Sequence, residues 1–381
     1  MTSVPLLDTT RISDACSKDL QATCERIIKS GQFILGPEVT NFEETMAQFL
    51  GAKHAIGVSS GTDALILALM TLGVGQGDEV ICPSFTFFAT AGAIWRVGAK
   101  PVFVDIDPAS FNMDPSLLEA AITENTRAIM PVHLFGQMAD MHEINAIAHK
   151  HGLPVIEDAA QAIGSSIDGC NAGTMGSIGA FSFFPTKNLG GYGDAGLVVT
   201  SDDAIAEKAR VLRVHGAEKR YYHQTVGGNF RIDALQAGLI GTRFKHLGTG
   251  VDGRRAWAGA YDAELKKQGL CDPGPSQLTL PPRTTGRHAF NQYTLRAASN
   301  AHRQHILSEL SAANVGHSVY YPVPLHRQEC FASLGYHDGQ LPHTEAASET
   351  VFSIPVFPQL SKAEHGRVVE VLVTASQSFA G

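Results

Sequence analysis

Apolar and polar positions along this chain repeat with two different periods, and the alternation between them predicts most of the elements. From Arg11 to Ser30 apolar residues recur at helical spacing and Gly31 supplies a stop, which predicts one helix. The stretch GQFILGPEVTNFEETMAQFLGA reads as a loop entering an amphipathic helix, with Thr40 and Glu43 spaced as a capping box. His54 to Val58 is a short strand that runs straight into the apolar helix of SSGTDALILALMTLGV. From Glu79 onward EVICPSF is a strand, TFFATAGAIWRVG a helix and KPVFVDIDP a strand. TRAIMPVHLF, MADMHEINAIAHKHG and LPVIEDAA repeat strand, helix and strand. Gly179 to Phe184 and Gly196 to Ser201 add two strands, and Asp203 to Val214 a helix. Apolar β-branched runs separated by helices predict an α/β fold, a parallel sheet covered on both faces. Ligands of such a sheet belong at the carboxyl ends of its strands.

Farther on, RVHGAEKRYYHQTVGGNFRID is polar, aromatic and glycine-containing, and reads as a surface or interface loop. A long helix begins at Asp233, reaches Leu247 and resumes from Arg254 to Gly269. Past Cys271 the prolines at 273, 275, 281 and 282 mark a linker. HAFNQYTLRAA then reads as a strand, AHRQHILSELSAANV as a helix and VYYPVPL as a strand, a compact α+β lobe. At 381 residues the chain exceeds what one core usually serves. The expected division is a large domain with an N-terminal arm over 1–247 and a smaller domain over 248–381.

Composition narrows the function classes. Hydrophobic residues at 44% and charged residues at 17% describe a globular chain with a sizeable core. A net charge of -8 offers no basic stripe for nucleic acid. The six cysteines include no C-x-x-C pair, so neither a disulfide framework nor a metal site is expected. No apolar run approaches the ~18 residues of a membrane span, and the first residues lack a leader pattern; a cytoplasmic protein is expected.

The chemistry concentrates in three places. Lys187 lies between an apolar run and a cluster of glycines. A lysine amine becomes a nucleophile toward carbonyls when desolvation lowers its pKa, so Lys187 is a candidate Schiff-base lysine; the competing reading is a surface lysine in a turn. Ser59, Ser60, Gly61 and Thr62 stand at a strand-to-helix join, where free N–H groups suit a phosphate, or where Ser and Thr merely cap the helix. Asp158 ends a strand and is followed by small residues, so it either faces a ligand or caps the next helix.

Taken together, SGTDAL at 60–65, EDAAQAIG at 157–164, FSFFPTKNLGGYGDAG at 181–196 and GGNFRIDALQA at 227–237 resemble the DegT/DnrJ/EryC1/StrS family of sugar aminotransferases. GQFILGPEV at 31–39, HAFNQYTLRA at 288–297 and YYPVPLH at 320–326 extend the resemblance over nearly the whole chain. It implies the pyridoxal-phosphate-dependent transferase fold of type I, with a mostly parallel seven-stranded sheet and a smaller C-terminal α+β domain. It also implies pyridoxal 5'-phosphate as cofactor, with the pyridoxamine form as intermediate.

Carried over by residue, Lys187 would hold the cofactor as a Schiff base and Asp158 would pair with its ring nitrogen. Gln161 would meet the phenolic oxygen, and Gly61, Thr62 and Ser182 the phosphate. Phe87 would stack on the ring, although an isolated Phe in an apolar stretch also reads as core. Asn229 would reach the phosphate of a neighbouring subunit, which implies a homodimer with shared sites; otherwise it is a turn residue. Substrate contacts are expected from Tyr321, His326, Tyr293, His288 and Arg231, the last also suited to a subunit ion pair. The substrates implied are a nucleotide-diphosphate keto sugar and an amino-acid donor, L-glutamate as in most of the family, for surface-polysaccharide, lipopolysaccharide or natural-product glycan synthesis. YYPVPLH is more similar to members acting on 3-keto than on 4-keto sugars. Phe184 departs from the Tyr or His that many members carry before Pro-Thr-Lys.

Three other classes compete. A family dehydratase has His where this chain has Lys187. A non-catalytic sensor would lose Lys187, Asp158 or Gln161. A nicotinamide dehydrogenase needs G-x-G-x-x-G after its first strand, which is missing.

Overall fold

The computed structural model describes residues 3–219, 221–282 and 286–379. Seven strands build the central sheet: β1 (His54–Val58), β2 (Glu79–Pro83), β3 (Lys100–Val104), β4 (Thr126–Ile129), β5 (Ile156–Asp158), β6 (Ile178–Ser182) and β7 (Gly196–Thr200). β3, β2 and β4 pair in parallel, as do β5 and β6. β7 runs antiparallel to both β6 and β1. Parallel bridges Ile129–Val155 and Val132–Asp158 join the two ribbons, so the order is β3-β2-β4-β5-β6-β7-β1 with β7 alone reversed. The expected mostly parallel sheet is what forms.

The strands are buried almost throughout, and the reason is that helices cover both faces. Phe42 and Met46 of α3 (Pro37–Leu50) pack with Ile81, Phe181 and Leu197 on one side. Leu65 and Leu69 of α4 (Gly61–Leu72) pack with Val80, Ile178 and Val198 on the other. A separate cluster joins Tyr293 of the strand Tyr293–Ala297, Phe352 of Val351–Ile354 and Leu372 of Lys362–Ser378. The helix Leu247–Lys267 is shared, with Leu247 and Val251 in the α3-side core and Tyr261 and Leu265 in the separate one. Among the described residues no helix is long and apolar enough to cross a membrane.

Several local expectations are corrected. The helix expected over Arg11 to Ser30 is two, α1 (Thr9–Asp14) and α2 (Ser17–Ser30), because Cys16 leaves helical backbone at φ -130°. The capping box does not form. Gly36 at φ 82° with Pro37 in the first turn starts α3, Thr40 lies inside it, and Glu43 binds Gly57 N–H and Arg213 instead. The helix expected from Thr86 begins only at Ala89, and the helix expected from Arg254 already begins at Leu247. The strand expected from His288 starts only at Tyr293, after Phe290 turns at φ 46°. VYYPVPL is no strand: Pro322 and Pro324 lack ladder donors, and the segment passes from a bridge at Ser318 to a short turn at Leu325–Arg327.

Candidate active site

The lysine loop is closed at its base by the sheet. Gly196 pairs with Ser182 across β6 and β7, and Phe183 N–H donates to Ala195 O at 2.8 Å. Phe181 and Phe183 are buried beneath the loop, while Phe184 stays half exposed. Pro185 then turns the chain, with Lys187 N–H donating to Phe184 O at 2.8 Å. The Lys187 amine has no hydrogen-bond acceptor among the described residues. Burial pushes its pKa down to about 8, and the charge of Asp158 opposes that shift.

Asp158 ends β5 and caps no helix. Its main chain is fixed from both sides, N–H to Pro131 O at 2.9 Å and C=O from His133 N–H at 3.0 Å. Thr90 Oγ1 donates to its Oδ2 at 2.8 Å and Ala160 N–H to its Oδ1 at 3.2 Å. Burial raises the carboxyl above its ordinary value, while the Thr90 and Ala160 bonds and the charge of Lys187 pull it back. Thr90 is itself buried and shares a 3.0 Å contact with Thr86 Oγ1.

The start of α4 comes to the same strand ends. Ser60 caps it, accepting from Asp63 N–H at 3.0 Å, which leaves the Gly61 and Thr62 N–H groups without acceptors among the described residues. A Cβ on Gly61 would stand 2.6 Å from Ser182 Cβ and 3.0 Å from its Oγ, so glycine is what lets the helix start meet that hydroxyl. Capping therefore leaves two donors of the same turn open to an anion.

Gln161 is held at both ends: Oε1 accepts from Phe135 N–H at 2.6 Å and Nε2 donates to Tyr321 Oη at 3.1 Å. Burial keeps the Tyr321 phenol protonated. Phe87 is 57% exposed, 6.2 Å from the Tyr321 ring, whereas neighbouring Phe88 is stacked on Phe331. Asn229 is exposed beside the bridge to Val214. Arg231 pairs through its backbone with Val58, one residue before Ser59, and its buried Nε has no acceptor among the described residues.

The other expected substrate contacts are otherwise engaged. Tyr293 is fully buried, donates to Asp262 at 2.6 Å and packs on Tyr261, because strand alternation turns it into the separate core. His288 stacks on Phe290 at 3.7 Å and accepts from its N–H. His326 is 3% exposed, with Nδ1 2.8 Å from Ser84 Oγ and Nε2 3.3 Å from Glu345, so it anchors the Tyr321 segment to the end of β2.

Sequence reasoning missed a second buried layer. Glu157, fully buried, accepts from Gly173, Met175 and Gly176 N–H and from His133 Nε2 at 2.7 Å. His133 Nδ1 accepts from Ala139 N–H, which puts the ring proton on Nε2. The available signal was a charged Glu beside Asp158 in an apolar strand, a residue type rarely buried without partners.

The family model of the DegT/DnrJ/EryC1/StrS aminotransferases matches residues 14–373. The chain belongs to this family. Among DegT/DnrJ/EryC1/StrS relatives, it is 48% identical over 379 residues to a pleiotropic regulatory protein of Geobacillus stearothermophilus, covering 99% of this chain and 100% of that one. It is 43% identical to UDP-N-acetyl-3-dehydro-alpha-D-glucosamine 3-aminotransferase of Acidithiobacillus ferrooxidans, covering 97% of each. The solved structure of S. venezuelae DesV in complex with a ketimine intermediate superposes with a TM-score of 0.94 at 38% identity, covering 100% of both chains. The DegT/DnrJ/EryC1/StrS cofactor is pyridoxal 5'-phosphate, and this chain is an aminotransferase.

Proposed function

We propose that this chain moves an amino group from an amino acid, L-glutamate, to a nucleotide-activated 3-keto sugar, and that Lys187 and Asp158 carry the chemistry. The observation that carries this reading is one unpartnered amine with its pKa lowered to about 8, feeling the charge of a buried carboxylate held by Thr90. The 3-keto assignment is supported by the substrate in the name of the Acidithiobacillus relative.

The residues fit the cofactor. The free N–H pair of Gly61 and Thr62, with Ser182 Oγ alongside, suits a phosphate. Asp158 suits a protonated ring nitrogen and Gln161 Nε2 a phenolic oxygen. Phe87, left exposed while Phe88 is stacked, offers a ring face. When bound, pyridoxal phosphate supplies an aldehyde that accepts the donor's amino group and a ring that stabilises negative charge on the adjacent carbon. Lys187 Nζ would hold the cofactor covalently and, once freed by the donor amine, would move a proton between the donor's α-carbon and the cofactor carbon that bears the amino nitrogen. Asp158 keeps the ring nitrogen protonated throughout. Tyr321 borders the sugar through its phenol, and Arg231 lies close to the phosphate side. Asn229 reaches the site of a second copy, which makes the working unit a homodimer.

A regulatory role is the second reading, favoured by the name of the Geobacillus relative. Borohydride treatment of the protein mixed with pyridoxal phosphate separates the two. Covalent label on Lys187, together with amino-group transfer from glutamate, supports the enzyme; a colourless protein with no label refutes it.

A further inference from the structure

Behind the lysine loop, on the side of Asn188 and Leu189, lies a cavity of about 300 Å³ between α1, the start of the helix Leu247–Lys267 and the segment at Pro358. Arg243 and Arg254 both line it, and they are 5% and 2% exposed. No aspartate or glutamate lines it. Among the described residues only backbone carbonyls accept hydrogen bonds from the two guanidinium groups, Gly190 O from Arg243 and Phe290, Asn291 and Val356 O from Arg254, all through Nη1, while the Arg243 guanidinium also stands 5.8 Å over the Tyr192 ring. The Nε and Nη2 donors of both arginines have no acceptor among the described residues. Two acceptors on the same wall, Asn188 Oδ1 and Gln359 Oε1, have no donor there either.

Buried charges are ordinarily paired, since removing an unpaired cation from water costs several kcal/mol. Here two like charges face one space and each disfavours the other. Burial and the charge of Arg243 together lower Arg254 to about 10. A guanidinium presents its remaining donors as a planar fork suited to the two oxygens of a carboxylate or phosphate. We propose that this cavity binds a small oxyanion, inorganic phosphate or a short dicarboxylate, between Arg243 and Arg254. The anion supplies the missing counter-charge, and Asn188 and Gln359 accept from its hydroxyl or from water it carries. Arg243 also holds Gly190 O, so occupancy stiffens the loop that carries Lys187.

The test is thermal unfolding of the holoenzyme, whose cofactor site is filled, titrated with inorganic phosphate or succinate against sodium chloride at equal ionic strength. The expected result is a saturable rise in melting midpoint of about 3 °C at roughly a hundredfold excess over Kd. Gln359→Glu brings a carboxylate into the cavity; its midpoint should be higher without anion and its titration flat. Arg243→Gln should lose the response. A response to phosphate alone or to succinate alone identifies which oxyanion the site takes. No rise beyond chloride, or an equal rise in wild type and Gln359→Glu, overturns the proposal.

Discussion

The amide of Gln161 donates to the phenol of Tyr321 at 3.1 Å, joining residues 160 positions apart in sequence. With Oε1 already taken by Phe135 N–H, this bond fixes the orientation of the amide, and under the proposed function Nε2 is the end offered to the cofactor. Tyr321→Phe removes the acceptor and frees Gln161 to rotate. A lost side-chain bond of this kind is worth about 1 kcal/mol, so KM for the keto sugar should rise about fivefold with kcat less affected. Steady-state kinetics on both substrates checks this, and an unchanged KM contradicts it.

Lys187→Ala should lower turnover by at least about a thousandfold while the cofactor still binds noncovalently. In the wild-type apoprotein, capture of pyridoxal phosphate needs the neutral amine. With the Lys187 pKa near 8, the rate should fall about tenfold for each pH unit below that value and level off above it. Borohydride trapping after short mixing times across pH measures the profile; a flat line between pH 6 and 8, roughly, removes the desolvated lysine from the argument.

Thr90→Val addresses the acid. Burial raises Asp158, and the Thr90 bond is the largest influence pulling it back. Without that hydroxyl the carboxyl protonates at higher pH, so the acidic limb of the kcat/KM profile should move upward. Serine at position 90 should restore the wild-type limb. A profile that stays in place would make Thr90 only a packing residue.

Stability at low pH rests partly on Arg11 and Glu364, whose bidentate contact at 2.9 and 2.8 Å ties α1 to the helix Lys362–Ser378. The Arg11 bond, with help from Ser361, lowers Glu364 from the ordinary 4.5 to about 2. Because the folded pKa lies below the unfolded one, this stabilisation is present above 4.5 and is lost as pH falls toward 2. Arg11→Gln should therefore melt earlier than wild type at neutral pH, and the gap should narrow as the solution is acidified. Calorimetry at several pH values reads it directly.

The sheet was legible because its strands are short apolar runs bounded by turns, and Lys187, Asp158 and the α4 start fall at strand ends where a parallel sheet gathers its ligands. Less legible were residues whose partners are remote in sequence. His326 looked like a substrate contact, yet Ser84 and Glu345 take both its ring nitrogens. Tyr293 sits in a motif that matches the family, and only strand parity turns it inward. Thr90 gave no signal at all, since a threonine in an apolar stretch looks the same whether or not it bonds a carboxylate 68 residues away.

The bond from Phe183 to Ala195 makes the nucleophile's segment a ring whose neck belongs to the sheet. The amine thus inherits its address from two strands rather than from the residues around it. On the far side of that ring Gly190 leaves no room for a Cβ against Pro185 O, and Tyr192 donates to Ser13 Oγ at 3.0 Å; at its neck a one-residue slip between the strands would turn Ser182 away from Gly61 and undo the whole arrangement in a single step.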